Sequence, residues 1–289
     1  MAYPLIELGG HGPPLILLPA NGFPPETYVP ALEPLRPRYR VVSLPPRALW
    51  DDVGAPPEGP GTWLTLAADL LEGMRRHALS PAIAIGHSFG AVAALLAAVR
   101  APTHFRGLAL LDPTILPAGV LAEFEQERLR GEASSRPLVR GALTRRSRFA
   151  SEQEAFAYWR RRSLFADWSD AALRRYTAAM LRPVEDGFVL AWPPAWEAHY
   201  YESVYTESWN ELGRLDAALP LLVVRGERSD TFLPDAAERF AAEVPWAVQR
   251  AIPGHGHLFP QSAPGETSRI LAEWLETLPE SPASPPPAA

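Results

Sequence analysis

The stretch Ala82–Val99 reads AIAIGHSFGAVAALLAAV, and its reading decides the fold. A short apolar β-type run leads into Gly86-His87-Ser88-Phe89-Gly90, and an Ala- and Leu-rich helical run follows. The pattern predicts strand, sharp turn and helix, with Ser88 at the apex. Glycines two positions either side of Ser88 leave room for a backbone bend that side chains would block. Such a bend lifts the Ser88 hydroxyl above a sheet and turns the N-terminal amides of the next helix toward any developing negative charge. A bare Gly-x-Ser-x-Gly match is weak, but here both flanking elements are present. The competing reading is a serine that only caps the helix beginning near Phe89.

On these residues the chain resembles the α/β-hydrolase superfamily, as a serine hydrolase with a helical cap domain. The resemblance implies an α/β fold with a doubly wound, mostly parallel sheet and an inserted helical cap. It also implies a catalytic set in chain order serine, acid, histidine. Downstream, the apolar run Leu221–Val224 ends in Arg225-Gly226-Glu227-Arg228-Ser229-Asp230, and the run Ala247–Ile252 ends in Pro253-Gly254-His255-Gly256-His257-Leu258-Phe259-Pro260. These resemble the loops that carry the family's acid and base at the carboxyl ends of parallel strands. His257, between Gly256 and Leu258-Phe259-Pro260, fits the base better than His255, which the bland reading makes a loop residue or a hydrogen-bond partner. Asp230 is favoured as the acid. Its rival, Asp112, ends the run Gly107–Leu111 before Pro113, where an Asp commonly satisfies turn amides.

Two amides are needed for an oxyanion hole. The resemblance gives one to Phe89, after the serine. The other falls to Phe23, because Pro19-Ala20-Asn21-Gly22-Phe23-Pro24 resembles the family's His-Gly-x-Pro turn, with Asn21 in place of the histidine. Asn21 reads as loop architecture, since asparagine tolerates unusual turn angles. Two-step acyl transfer needs no metal or organic cofactor. The reading is a small hydrophobic carboxylic ester as substrate, with carbon–carbon bond hydrolysis or a non-catalytic ligand-binding member as alternatives.

Composition fits one core plus an insertion: 289 residues, 47% hydrophobic, with no cysteine. The net charge of −6 argues against bulk nucleic-acid affinity. No apolar run approaches the roughly 18 residues of a membrane span, and Met1-Ala2-Tyr3-Pro4 lacks a secretory pattern. The expected partner is a small-molecule substrate, the expected location cytoplasmic, and the oligomeric state is left open. All 27 basic side chains are arginine, which resembles the bias of a GC-rich bacterial genome.

Seven short apolar runs separated by crossover-length stretches predict the sheet: Leu5–Leu8, Leu15–Leu18, Tyr39–Leu44, Ala82–Ile85, Gly107–Leu111, Leu221–Val224 and Ala247–Ile252. The expected division is a core of 1–113 and 209–279, an inserted cap of 114–208 and a disordered tail of 280–289. The insertion reads as helices: Val120–Arg130, Ser151–Arg162, Asp170–Met180 and Trp192–Tyr200. Ser151 opens a capping box with Glu154. The insertion is rich in aromatics, and Trp159, Trp192, Trp196 and Tyr200, with Trp50 from the core, are candidate pocket walls. The rival reading makes them lid core. From Arg128 to Arg182 there are thirteen arginines against five acids, read either as anion steering or, more commonly, as solvated helix faces.

Overall fold

The computed structural model describes residues 3–51, 53–59 and 61–279. The expected tail at 280–289 lies outside them. Along the chain come β1 (Ile6–Gly9), β2 (Pro14–Leu18), a short helical turn α1 (Val29–Leu32), β3 (Arg40–Ser43), α2 (Leu64–Arg76), β4 (Ala82–His87), α3 (Phe89–Arg100) and β5 (Phe105–Leu111). The segment that follows contains α4 (Ala118–Leu129), α5 (Pro137–Thr144), β6 (Arg148–Phe149), α6 (Glu152–Arg160), α7 (Asp170–Met180), β7 (Leu181–Val184), β8 (Gly187–Leu190), α8 (Pro194–Glu202) and α9 (Ser208–Leu212). The chain then completes β9 (Leu221–Gly226), α10 (Pro234–Glu243), β10 (Val248–Ile252), α11 (Phe259–Ser262) and α12 (Pro264–Leu275).

Seven strands form one sheet in the order β1-β3-β2-β4-β5-β9-β10. Only β1 runs antiparallel to its neighbour; the other pairings are parallel. A parallel sheet is covered on both faces, so its central strands must be apolar throughout. Strand β4 meets that demand, with all six residues buried. Helix α3 is buried from Phe89 to Ala98, and its run of alanines lets it lie close to the sheet. All seven strands expected from the sequence are present, within two residues at each end.

The segment between β5 and β9 is not purely helical, contrary to the expectation. Strands β6, β8 and β7 make a small antiparallel sheet, with Val184 opposite Gly187 across a tight turn. The signal was Asp186-Gly187 between two short apolar runs, a hairpin cue. Gly187 takes φ +113°, and a Cβ there would lie 2.4 Å from the Phe149 carbonyl oxygen. The expected helices form around this sheet. Ser151 accepts from the Glu154 amide at 3.1 Å, and Glu154 reaches back to the Ala150 amide at 2.7 Å. Ser169 caps α7 through the Ala172 amide at 3.1 Å. No helix among the described residues is long and apolar enough to cross a membrane.

Candidate active site

Ser88 sits between β4 and α3 with φ +59° and ψ −123°, a conformation that a non-glycine residue adopts only under constraint from its surroundings. The flanking glycines supply that constraint. A Cβ on Gly86 would lie 2.5 Å from Ala91 Cα, and one on Gly90 would lie 2.5 Å from the Leu18 carbonyl oxygen. Both contacts are with backbone, so neither position can take a side chain without moving the strand or the helix. The Ser88 amide donates to the Leu111 carbonyl at 3.0 Å, which ties the turn to the end of β5. The Ser88 side chain makes no capping bond to α3, which removes the capping reading.

The Ser88 hydroxyl instead meets His257, with Oγ 3.0 Å from Nε2. His257 Nδ1 lies 2.7 Å from Asp112 Oδ2. The carboxylate partner is therefore Asp112 and not Asp230. Asp112 is wholly buried with φ +41°, at the carboxyl end of β5. Its other contacts are the Gly226 amide, 2.9 Å from Oδ1, and the Ser229 hydroxyl on Oδ2. Burying a carboxylate is costly unless donors surround it, and these three do. Ser229 points inward to make this contact, so its neighbour Asp230 turns to solvent, where Thr231 Oγ1 is 3.4 Å from its Oδ1. His255 also stands apart, with Nδ1 2.8 Å from Ser262 Oγ.

A second hydrogen-bond network lies beneath this one. Tyr28 Oη accepts from the Ala20 amide at 2.8 Å and donates its own proton to His87 Nδ1 at 2.7 Å. That leaves His87 Nε2 as the protonated nitrogen, 2.9 Å from the His257 carbonyl oxygen, to which it donates. Burial first, and then the neighbouring His257, pushes His87 well below the usual imidazole range, so the ring is neutral. His87 thereby joins the turn after β2 to the backbone of His257.

The two expected oxyanion donors differ. Phe89 is the first residue of α3, so its amide has no acceptor within the helix. The Phe23 amide already donates to the Ala20 carbonyl at 3.1 Å, closing a turn in which Gly22 takes φ +82°. A turn this tight makes that bond, and a second acceptor would have to share the hydrogen. Asn21 is architectural, as expected: its Nδ2 donates to the Glu197 carbonyl at 3.0 Å. Thr114, which sequence reasoning missed, places Oγ1 3.1 Å from Ser88 Oγ. Among the described residues, no group of three or more His, Cys, Asp or Glu side chains could hold a metal ion.

A family model described as "Alpha/beta hydrolase family" matches residues 15–270. The chain belongs to the alpha/beta hydrolase family. Solved structures of similar fold include E-2-(acetamidomethylene)succinate hydrolase, with 19% identity over 95% of this chain and 98% of that one, at a TM-score of 0.76. An esterase of M. tuberculosis matches with 18% identity, 93% and 87% coverage and a TM-score of 0.71. A thermophilic esterase from Thermogutta terrifontis matches with 19% identity, 94% and 92% coverage and a TM-score of 0.64. A search of curated proteins finds no match.

In this alpha/beta hydrolase, the aromatics of the inserted segment pack mainly on one another. Trp159 packs at an angle against Phe149, with ring centres 5.2 Å apart, and edge-on against Tyr176 at 5.0 Å. Tyr200 and Trp192 lie 5.1 and 6.5 Å from Phe89, and Trp168 and Tyr176 lie 6.1 and 5.6 Å from Phe23. All are buried. Trp196 donates to the Gly54 carbonyl at 2.9 Å, and Trp63 donates to that of Tyr200 at 3.0 Å. Trp50 faces Tyr3 at 4.8 Å and lines a cavity of about 30 Å³ that reaches Phe89 and Gly90. Six of the thirteen arginines form ion pairs: Arg128 with Glu125, Arg130 with Glu132, Arg136 with Glu127, Arg145 with Glu197, Arg146 with Glu154 and Arg160 with Asp170. Three of these carboxylates, Glu125, Glu127 and Glu197, lie outside the counted stretch, so the local excess of positive charge is smaller than the sequence count implies.

Proposed function

We propose that this protein is a serine hydrolase that cleaves a small hydrophobic carboxylic ester through an acyl-enzyme. One observation carries the reading: the continuous hydrogen-bonded line Asp112–His257–Ser88, ending on a half-exposed hydroxyl at a strained strand-to-helix turn. His257 Nε2 takes the Ser88 proton as Oγ attacks the carbonyl carbon, and Asp112 stabilises the imidazolium. The Phe89 amide receives the oxyanion, with the Phe23 amide joining by sharing its turn hydrogen. His257 then protonates the leaving alkoxide, and water admitted in its place hydrolyses the acyl-enzyme by the same proton path. The segment 114–208 acts as the cap, with Trp192 and Tyr200 standing over Phe89 and Trp168 over Phe23.

The test is a fluorophosphonate label followed by a panel of p-nitrophenyl esters and dione substrates. Stoichiometric labelling lost in Ser88→Ala, together with ester turnover, is the expected result. Labelling without ester turnover but with dione cleavage overturns the ester assignment. A folded protein that neither labels nor turns over any substrate is a binding protein on this fold.

A further inference from the structure

We infer that Thr114 is a further catalytic residue, whose hydroxyl donates a hydrogen bond to Ser88 Oγ and stabilises the charge that forms there. The inference rests on the serine-hydrolase reading above. Proton counting along the line fixes the donor. Asp112 accepts at Oδ2 from the Ser229 hydroxyl, and its other contact on that oxygen is His257 Nδ1, which therefore carries the proton. Ser229 Oγ is itself an acceptor for the amides of Thr231 and Phe232, both at 3.1 Å, so its only proton goes to Asp112. In the neutral imidazole, the form that can act as a base, Nε2 is then the acceptor, and Ser88 gives it its single hydrogen at 3.0 Å. Ser88 has none left, so the 3.1 Å contact with Thr114 is a bond donated by Thr114.

The main chain holds Thr114 in place. Its amide contacts the Ser88 carbonyl at 3.4 Å, and Asp112-Pro113 just before it stiffens the exit from β5. One short loop thus delivers two functional side chains, the Asp112 carboxylate behind His257 and the Thr114 hydroxyl beside Ser88.

The bond matters most where Oγ is most negative. During attack, the Ser88 proton moves to His257 Nε2 while the Oγ–carbon bond forms and the carbonyl electron pair moves to the oxyanion. During deacylation Oγ is the leaving group: the Oγ–carbon bond breaks, the electron pair returns to Oγ, and His257 restores the proton. Partial negative charge appears on Oγ in both transition states and is absent from the ester oxygen between them. A donor aimed at Oγ is therefore stronger in the transition states than in the acyl-enzyme, which is the condition for raising kcat. Thr114 keeps its own proton throughout.

The experiment compares wild type with Thr114→Val, which keeps the shape and removes the hydroxyl, and Thr114→Ser, which keeps the hydroxyl. Fluorophosphonate labelling rate and p-nitrophenyl acetate turnover are measured, with thermal melts to verify folding. Thr114→Val is expected to lose about ten- to a hundredfold in both rates with KM little changed, while Thr114→Ser stays within a few-fold of wild type. If Thr114→Val does not fold, Thr114→Ala provides the same comparison at this half-buried position. Wild-type rates in Thr114→Val, or equal losses in Thr114→Ser and Thr114→Val, overturn the inference and leave the hydrolase reading standing. A wild type that neither labels nor turns over ester overturns both.

Discussion

The Ser229 hydroxyl and His257 Nδ1 share one oxygen, Oδ2 of Asp112. Ser229 belongs to the loop after β9, where the sequence pattern had suggested an acid. That loop supplies two donors to Asp112, the Gly226 amide and the Ser229 hydroxyl, and no carboxylate to His257. A second carboxylate beside Asp112 would repel it.

Asp112→Asn is expected to lower kcat by about four orders of magnitude, the scale set by such a change in a serine protease triad. Asparagine can donate to Nδ1 and thereby stabilises the wrong tautomer of His257. Asp230→Asn should leave kcat within a few-fold of wild type. Steady-state kinetics on a p-nitrophenyl ester compares the two, and the opposite ranking would return the acid to the β9 loop.

Ser229→Ala removes a donor from Asp112 and an acceptor from the amides of Thr231 and Phe232. Leaving buried partners unsatisfied costs about 1–3 kcal/mol each. Urea titration should show a destabilisation in that range, along with a partial loss of kcat. A neutral result on both would mean that the loop is not held through Ser229.

The fold was legible because two glycines and a serine demand a particular bend, and because strands covered on both faces must be apolar. The position of Ser88 at the turn, and that His257 and not His255 would meet it, were legible from the same local context. The acid was not. Two strand ends each offered an aspartate, and only the direction of Ser229 decides between them. Nor could local pattern expose Thr114 or the Tyr28–His87 bond, since these join residues 26 and 59 positions apart that meet only when β2, β4 and β5 are side by side. The small sheet of the inserted segment leaves little periodic signal in the sequence, because its strands are only two to four residues long.

His87 should confer a pH dependence on stability. Its folded pKa is depressed, so between that value and about 6.5 the unfolded chain binds a proton that the native chain does not. Stability is complete above that upper limit and falls as the pH drops below it. His87→Gln should flatten this part of the pH–stability curve measured by denaturant titration. An unchanged acid slope in the variant would assign it to other groups.

Gly90→Ala would place a methyl 2.5 Å from the Leu18 carbonyl oxygen and 2.6 Å from that of Pro19. Overpacking against backbone costs about 1–3 kcal/mol or more. Here the helix must also move away from the turn that carries Ala20 and Phe23. A lower melting temperature and a disproportionate fall in kcat are expected. A variant with wild-type kcat would show that α3 can shift without disturbing Ser88.

Glu197→Gln leaves the Arg145 guanidinium without its carboxylate within the inserted segment. Removing one partner of a buried pair typically destabilises by about 3–5 kcal/mol. Because Arg145 keeps Tyr176 Oη at 3.3 Å, the lower end is expected in a chemical melt. No measurable change would place the pair among surface bridges of little energetic value.

Because the carboxylate that meets His257 comes from the end of β5, residues 88 and 112 precede the inserted segment, Thr114 opens it, and His257 follows it. The chain is made from the N-terminus, so the Ser88 turn and Asp112 exist in the sequence before β9 and the loop bearing His257. Until then Ser88 has no base, and Asp112 lacks the Gly226 and Ser229 donors that make its burial tolerable. On the serine-hydrolase reading proposed above, a chain at that stage cannot activate Ser88. That activation waits for β9, β10 and the loop bearing His257, all of which follow the inserted segment.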